Sequence, residues 1–352
     1  MSSDRPLVAP SPVIPPLVAI AVPVLNEEHY IADCLDSLLT QGDSYRLEIL
    51  VLDGGSTDRT REIVAGIQAR HPEVRLLHNP ARLQSAAVNQ AAREASAEAR
   101  ILLRADAHAW YPPGFVTRVC QCLEARTGPS TGATSVVVPM RTEGHAGMQR
   151  AIALAQNSKL GNGGSAHRAG GVSGWVDHGH HAAFNRDFFR SIGGYDEAFT
   201  HNEDAELDHR AHLAGGKVWM CREAPVTYYP RKDLPSLARQ YMKHGAGRAR
   251  TLMKHGLRPR PRQMAPVAAL LGCAGAVLLA PFWPPFLFIP LAYALLCLGW
   301  GAAQAAKARD LSLLPVGLAV MTMHLAWGFG FLRGAWRHRR DRMPPQPQRP
   351  TA

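Results

Sequence analysis

The stretch Ile101-Leu102-Leu103-Arg104-Ala105-Asp106-Ala107-His108 decides how this chain is read. Its apolar start reads as a short buried strand, which then delivers a carboxylate and an imidazole two positions apart. Residues i and i+2 of an extended chain point to the same side. Asp106 and His108 can therefore share one divalent cation if the backbone stays extended past the strand end. An oxygen with an imidazole suits Mn²⁺ well and Mg²⁺ tolerably, and an open coordination sphere of that kind commonly holds a diphosphate. The plainer alternative is that Asp106 caps the next turn and His108 lies on the surface. The flanking chain weighs between the two.

Upstream, strand and helix patterns alternate without a break. Residues 17–22 read as a buried strand stopped by Pro23, and Asn26-Glu27-Glu28 opens a helix with Ile31, Cys34, Leu35, Leu38 and Leu39 at helical spacing. Residues 47–52 form a second strand ending on Asp53-Gly54-Gly55-Ser56-Thr57-Asp58. A helix over 60–69, a strand over 74–77 and an Ala-rich helix over 83–97 lead into the stretch above. Such alternation predicts an α/β fold with a parallel, three-layer sheet and right-handed crossovers. Ligands bind at the carboxyl ends of strands in sheets of this kind. Asn26, Asp53 and Asp106 each follow a strand end, and the expectation is that Asp53, Asp106 and a later acid rim one cleft. An ionised Asp53 only accepts hydrogen bonds, which suits a base N–H or a ribose hydroxyl; the alternative is a turn-forming Asx residue. Its two glycines lack the spacing of a dinucleotide fingerprint and follow the second strand rather than the first, and no Walker loop is present.

Downstream, Pro112 and Pro113 start another helix, and residues 134–138 read as a strand. Residues 142–172 read as a mobile Gly-, Ser- and His-rich loop around a short helix at 148–156. The three histidines of Trp175-Val176-Asp177-His178-Gly179-His180-His181 do not match a structural zinc spacing, and the segment is read as a strand lining the acceptor side. After the turn Gly193-Gly194-Tyr195-Asp196-Glu197 comes His201-Asn202-Glu203-Asp204-Ala205-Glu206-Leu207-Asp208, the start of a helix ending at Gly215-Gly216. Acids at a helix N-terminus satisfy its dipole. A carboxylate there that faces the metal site could instead deprotonate an acceptor hydroxyl. Residues 217–221 and 226–229 read as strands, and 234–250 as a basic amphipathic helix suited to a membrane surface.

Composition bounds the partners. The 352 residues carry a formal net charge of +11. The excess is concentrated in 231–262, which includes Arg239, Lys243, Arg248, Arg250, Lys254, Arg258 and Arg260, and in the tail with Arg333, Arg337, Arg339, Arg340 and Arg342. Both flank the apolar region, so anionic membrane lipids are the expected partner. Nucleic acid is not, for want of interleaved aromatics or a known motif. Cys34, Cys120, Cys122, Cys221, Cys273 and Cys297 suggest neither a metal site nor a disulfide framework, as in a reducing cytosol. No signal peptide is visible, so the catalytic part is expected in the cytoplasm. Residues 265–282, 285–306 and 311–332 each approach the length of a bilayer span. Three full crossings would put the Arg-rich tail outside, against the positive-inside preference. Pro281, Pro284, Pro285 and Pro290 suggest a broken or re-entrant segment, and an even effective number of crossings is expected. The expected divisions are a disordered 1–16, a catalytic domain at 17–255, a membrane region at 256–335 with two or three helices, and a basic Pro-rich tail at 336–352.

In combination, Val22-Pro23-Val24-Leu25-Asn26-Glu27-Glu28, Leu52 to Asp58, Arg104 to His108, Gly193 to Glu197, Asn202 to Leu207 and Gln240 to Arg250 are specific. Over residues 17–255 the chain resembles the family 2 glycosyltransferases of the GT-A (Rossmann-like) fold, particularly the membrane-attached, succinoglycan-type exopolysaccharide glucosyltransferases. The resemblance implies a nucleotide-sugar site at Pro23, Asn26, Glu27, Asp53, Gly54, Arg82 and Asp106. It implies Mg²⁺ or Mn²⁺ at Asp106 and His108, a catalytic base at Asp204 beside Glu203, and an acceptor or diphosphate side at Gln240, Lys243, His244 and Arg248. His108 departs from the family's second carboxylate. The Gln-x-x-Arg-Trp element of processive synthases is reduced to Gln240-Tyr241-Met242-Lys243-His244, which implies single-sugar addition. The activity implied is inverting transfer of a hexose, glucose from UDP-glucose in the related enzymes, to a polyprenyl-linked glycan at the inner membrane. The alternatives are a polyprenyl-phosphate sugar synthase and a non-catalytic nucleotide-binding membrane subunit.

Overall fold

The computed structural model describes residues 14–42, 44–127, 132–164 and 172–340, with the backbone alone at 181. Most of the N-terminal segment read as disordered, part of the expected mobile loop (165–171) and the tail beyond 340 lie outside these residues. The first half runs β1 (Leu17–Val24), α1 (Ile31–Leu39), β2 (Arg46–Asp53), α2 (Thr60–Gln68), β3 (Val74–His78), α3 (Gln84–Glu94), β4 (Ile101–Arg104), β5 (Ala109–Trp110), α4 (Phe115–Glu124) and β6 (Ala133–Val138). Then come β7 (Met140–Thr142), α5 (Gly147–Asn157), α6 (Lys159–Asn162), β8 (Gly174–Val176), β9 (His180–Asn185), α7 (Arg186–Ser191), α8 (Glu203–Leu213), β10 (Lys217–Met220) and β11 (Val226–Tyr228). The C-terminal part is helical: α9 (Leu234–His255), α10 (Pro261–Leu279), α11 (Phe288–Ala308) and α12 (Val316–Arg337).

Alternation along β1 explains the layers. Val18, Ile20 and Val22 join Ile49, Val51 and Leu103 in a core shared with α1, α2 and α4. Ala19 and Ala21 join Leu50, Leu52 and Leu102 on the opposite face, against Ala87, Val88 and Ala91 of α3. Fully burying a large aliphatic side chain is worth about 1.5–3 kcal/mol. A one-residue slip of β1 would exchange these two sets, so the pattern pins the strand's register.

The main sheet has the order β3-β2-β1-β4-β9-β6-β10-β8. The β3-β2-β1-β4 half is parallel, as expected. The other half corrects the expectation of an all-parallel sheet: β9 is antiparallel to both β4 and β6, and β8 is antiparallel to β10. The reason lies in the excursion after β6. The chain returns to the sheet with His180 opposite Val138 at the carboxyl end of β6, so β9 runs away from that edge with no crossover helix. Its first residue is thereby delivered to the cleft. A small sheet, β5-β11-β7, stands beside the main one.

Cys122 of α4 and Cys221 just after β10 are bonded, with Cα atoms 6.4 Å apart. This corrects the expectation of no disulfide: the partners are 99 residues apart, and sequence spacing carries no trace of their meeting. The basic helix α9 is longer than expected and does not lie alone on a surface. Leu237, Ala249, Thr251 and Leu252 are buried, and α9 is held between the catalytic domain and α12. Among the described residues, three segments, Pro261–Leu279, Pro284–Ala308 and Leu311–Arg337, are long and apolar enough to cross a membrane.

Candidate active site

The ends of β4 and β9 and the first turn of α8 meet the segment entering α9 around a cleft of about 540 Å³. Asp106, His108, His180, Glu203 and Asp204 come from the sheet side, and Arg231, Arg239, Gln240, Lys243 and His244 from the α9 side.

Asp106 follows β4 directly and is 9 % exposed. Its backbone N–H donates to the Tyr111 hydroxyl at 2.7 Å, and its Oδ1 accepts from Gln84 Nε2 at 2.8 Å and Arg104 Nε at 3.4 Å. His180 Nε2 lies 3.6 Å from Oδ2. Burial opposes charge on Asp106, but Arg104 foremost, then His180 and His108, outweigh it and hold the carboxyl below the usual range. His108 Nδ1 is 3.2 Å from Glu27 Oε1, and its ring meets Tyr228 edge-on at 5.6 Å. Burial lowers the basicity of His108, while the Glu27 hydrogen bond and the Asp106 charge raise it; the net shift is upward.

Arg104 organises the acids. At the last residue of β4, two positions before Asp106, its 5 %-exposed side chain also reaches the first turn of α8. Nη1 donates to Asp204 Oδ1 at 2.7 Å and lies 3.7 Å from Glu203 Oε1. The Tyr195 hydroxyl donates to the same Asp204 oxygen at 2.6 Å. Tyr195 is carried by a turn in which Gly193 and Gly194 take φ of +83° and +65°, a region that favours glycine. That turn is docked on α3: Tyr195 N–H donates to Asn89 Oδ1 at 2.8 Å, and Asn89 Nδ2 to the Tyr195 carbonyl at 2.9 Å.

The N-cap of α8, Asn202, at φ +66°, makes no side-chain capping bond, and Glu203, Asp204 and Glu206 occupy the first turn. Burial first, then the neighbouring Asp204, push the Glu203 carboxyl up to about 7 despite Arg104. Glu206, fully buried, is bound by Arg210, Lys254 and His255, which ties α8 to α9. One acid of the run therefore serves architecture, while Glu203 and Asp204 face the cleft.

Pro23, Asn26, Glu27, Asp53, Gly54 and Arg82 gather at the neighbouring carboxyl ends of β1 and β2 and beyond β3. Asn26 Oδ1 accepts from Thr57 N–H at 2.8 Å, and Ser56 Oγ accepts from Asn26 N–H at 2.9 Å. At Gly54 an added Cβ would stand 3.4 Å from Arg82 Cα and 3.5 Å from the Val24 carbonyl, so the segments nearly touch. Asp53 does not rim the large cleft with Asp106 and Asp204, contrary to expectation. It is 2 % exposed, and its carboxylate accepts from Gly55 N–H at 3.1 Å and Ser56 N–H at 3.0 Å, the turn-forming alternative. Gln240, Lys243 and His244 line the cleft. Arg248 lies outside that lining, near Arg260 and Arg262, where burial and then those two charges draw its guanidinium down to about 10.

Asp106 with His180 Nε2 3.6 Å from its Oδ2 offers one oxygen and one nitrogen donor, chemistry that suits Mn²⁺ or Mg²⁺. Sequence reasoning gave no site role to Gln84, Arg104 or Tyr195, and read Arg231 and Arg239 only as part of a basic run facing lipid, whereas they line the cleft. Arg104 was within reach, because the i, i+2 rule pairs it with Asp106. The rule does not carry on to His108: the chain turns at Ala107 and His108, with Ala109 N–H donating to the Asp106 carbonyl at 3.1 Å, instead of staying extended as that pairing required.

The profile described as "Glycosyl transferase family 2" matches residues 19–193. The chain is 43 % identical over 314 residues to the succinoglycan biosynthesis protein ExoA of Rhizobium meliloti, covering 89 % of this chain and 93 % of that protein. It is 24 % identical over 245 residues to a dolichyl N-acetyl-α-D-glucosaminyl phosphate 3-β-D-2,3-diacetamido-2,3-dideoxy-β-D-glucuronosyltransferase of Methanococcus voltae, covering 67 % and 74 %. Among solved structures, the mannosyltransferase PcManGT of Pyrobaculum calidifontis, in complex with GDP-Man and Mn²⁺, superposes with a TM-score of 0.57 at 22 % identity over 95 % and 91 % of the two chains. This last likeness establishes a GT-A-like fold. With the identity to ExoA over most of both chains, the chain belongs to glycosyltransferase family 2 and is a glycosyltransferase.

Proposed function

We propose that this enzyme moves a hexose from a nucleoside diphosphate sugar to a polyprenyl-linked glycan at the cytoplasmic face of the inner membrane, with inversion, during exopolysaccharide or cell-surface glycan synthesis. The observation that carries this reading is the Arg104 bridge, which holds Asp106 and Asp204 within one cleft. Asp106 and His108 would hold Mg²⁺ or Mn²⁺. When bound, the ion would neutralise the charge that grows on the leaving diphosphate.

Asp204 is the proposed base. Tyr195 and Arg104 fix its Oδ1, which sets the plane of the carboxylate. It takes the proton of an acceptor hydroxyl as that oxygen bonds to the anomeric carbon and the bond from that carbon to the diphosphate oxygen breaks. One displacement inverts the centre, so an α-linked donor gives a β-linked product. The cations Arg231, Arg239 and Lys243 across the cleft suit an acceptor that carries phosphate groups of its own.

UDP-glucose is the proposed donor, on the resemblance of the sequence motifs to glucosyltransferases of succinoglycan type. Release of nucleotide from a panel of nucleoside diphosphate sugars, with membranes supplying acceptor, tests this. UDP-glucose should be turned over in an acceptor-dependent way, and an absence of release from every donor would overturn the reading.

A further inference from the structure

The C-terminal helices hold an inference about how the chain meets a bilayer. By length and composition three segments could cross, yet their burial differs. In the most apolar window of the α12 segment 39 % of residues are buried inside the protein, against 11 % in each of the other two.

Helix α12 runs parallel to α9. Close contacts pair Gly330 with Met242, Gly334 with Ala246, and Gly245 with Trp327 and Phe331. At Gly334 an added Cβ would meet the Ala246 Cα at 2.7 Å, and at Gly330 it would collide with the Met242 carbonyl. Elsewhere on α12, His324 Nε2 donates to the Leu160 carbonyl at 2.8 Å, and Met323 packs with Ala151, Ile152 and Ala155 of α5.

Helix α9 is itself fastened to the catalytic domain. Asn202 Nδ2 donates to Thr251 Oγ1 at 2.8 Å, Lys254 reaches Asp196 at 2.8 Å, and Gln240 reaches the Tyr228 hydroxyl at 3.3 Å. An α12 standing across a bilayer would drag α9 in beside it, with Arg239, Lys243, Arg248, Arg250 and Lys254, and the catalytic sheet behind. Hydrocarbon does not accept such a charge load.

The remaining two helices begin and end on the catalytic domain. Arg260, just before α10, pairs with Asp177 at 2.6 Å, and Asp310, just after α11, pairs with Arg150 at 2.8 Å. No charged residue lies between Arg262 and Lys307, and Phe282 and Trp283 at the intervening turn are 85 % and 58 % exposed. The outward stripe of α12 includes exposed Leu318, Phe329 and Trp336.

We infer that α10 and α11 enter a lipid bilayer as a hairpin and return, while α12 lies along its surface without crossing. The residues after α12 then remain on the catalytic side. The occupant of this apolar surface is a bilayer with anionic headgroups. The uncharged hairpin suits hydrocarbon. Arg258, Arg260 and Arg262 at its start, Lys307 and Arg309 at its end, and Arg333, Arg337, Arg339 and Arg340 at the end of α12 suit the headgroups. The α9 side of the cleft is thereby kept beside the headgroup layer. This topology does not depend on which sugar is transferred, so its failure would leave the catalytic reading standing.

The test is the full chain in a bacterial host, carrying at either terminus green fluorescent protein, which fluoresces only in the cytoplasm. A C-terminal fusion to alkaline phosphatase, active only outside the cytoplasm, is made in parallel. Both fluorescent fusions should be bright and resist carbonate extraction from the membrane pellet, and the phosphatase fusion should be inactive. An active C-terminal phosphatase with a dark C-terminal fluorescent fusion would mean that the chain crosses an odd number of times. Complete release by carbonate would mean that the hairpin does not insert. Either result overturns the inference.

Discussion

Replacing Arg104 with methionine removes a cation that the structure places among three acids of the cleft. Arg104 is 6 % exposed and meets Asp204 at 2.7 Å, Asp106 at 3.4 Å and Glu203 at 3.7 Å. Breaking a buried pair by removing one partner typically costs about 3–5 kcal/mol, because the remaining charge is left uncompensated. For a domain of this size each kcal/mol lowers the melting temperature by about 2–4 °C, so a fall on the order of 10 °C is expected at pH 8. The sign of the pH dependence follows. Without Arg104 the crowded carboxyls have folded pKa values above their unfolded ones. The variant is therefore relieved when they are protonated and loses stability as pH rises, so its deficit should shrink at pH 5. Asp204 would also lose half of its positioning, and a misplacement of about 1 Å can cost about 100-fold in rate. Thermal melting of the detergent-solubilised protein at both pH values, with nucleotide release as the activity readout, checks both parts. A variant that melts with the parent at pH 8 and turns over donor normally would refute the reasoning.

Two further outcomes follow from the geometry. Glu203→Gln keeps the uncharged form of a carboxyl that burial, then Asp204, push up to about 7. The wild-type group stabilises the fold below its unfolded pKa and loses that contribution as pH rises through about 7. The variant should thus gain on the parent between pH 5 and pH 8, by at most about 3 kcal/mol; a melting difference that does not change with pH would contradict this. Gly330→Leu forces a side chain into the Met242 carbonyl at the α9–α12 crossing. Overpacking of this kind costs about 1–3 kcal/mol, seen as a lower melting temperature, whereas parent-like melting would mean that α12 is not held against α9.

Much of the catalytic half was legible because its signals are local. Leu17 to Ala105 alternates strand and helix with apolar residues at the matching periods, and each strand ends on a polar turn. Asp106 was singled out from one of those ends, and Asp204 from a helix start together with the family resemblance. What escaped depends on long-range pairing. The antiparallel insertion of β9 between β4 and β6 leaves no mark in the period-two pattern, which is blind to strand direction. Asp53 carries the same residue type for a nucleotide contact as for an Asx turn, so its bonds to Gly55 and Ser56 and its place away from the large cleft were not legible in the sequence. Cys122 and Cys221 meet because α4 and the end of β10 pack together. Hydropathy alone reads α12 as a span, while its glycines at 317, 328, 330 and 334, all buried, are the sequence trace of helices packed against it.

The claim on which the account rests is a division of labour, with Asp106 holding the donor and Asp204 taking the proton. Calorimetric titration of UDP-glucose with Mn²⁺ into Asp106→Ala and Asp204→Asn, each paired with a transfer assay, measures it most directly. The account predicts that Asp106→Ala loses metal-dependent binding of the donor, and that Asp204→Asn binds it like the parent yet transfers nothing. Undiminished transfer by Asp204→Asn, or undiminished metal-dependent binding by Asp106→Ala, would contradict it.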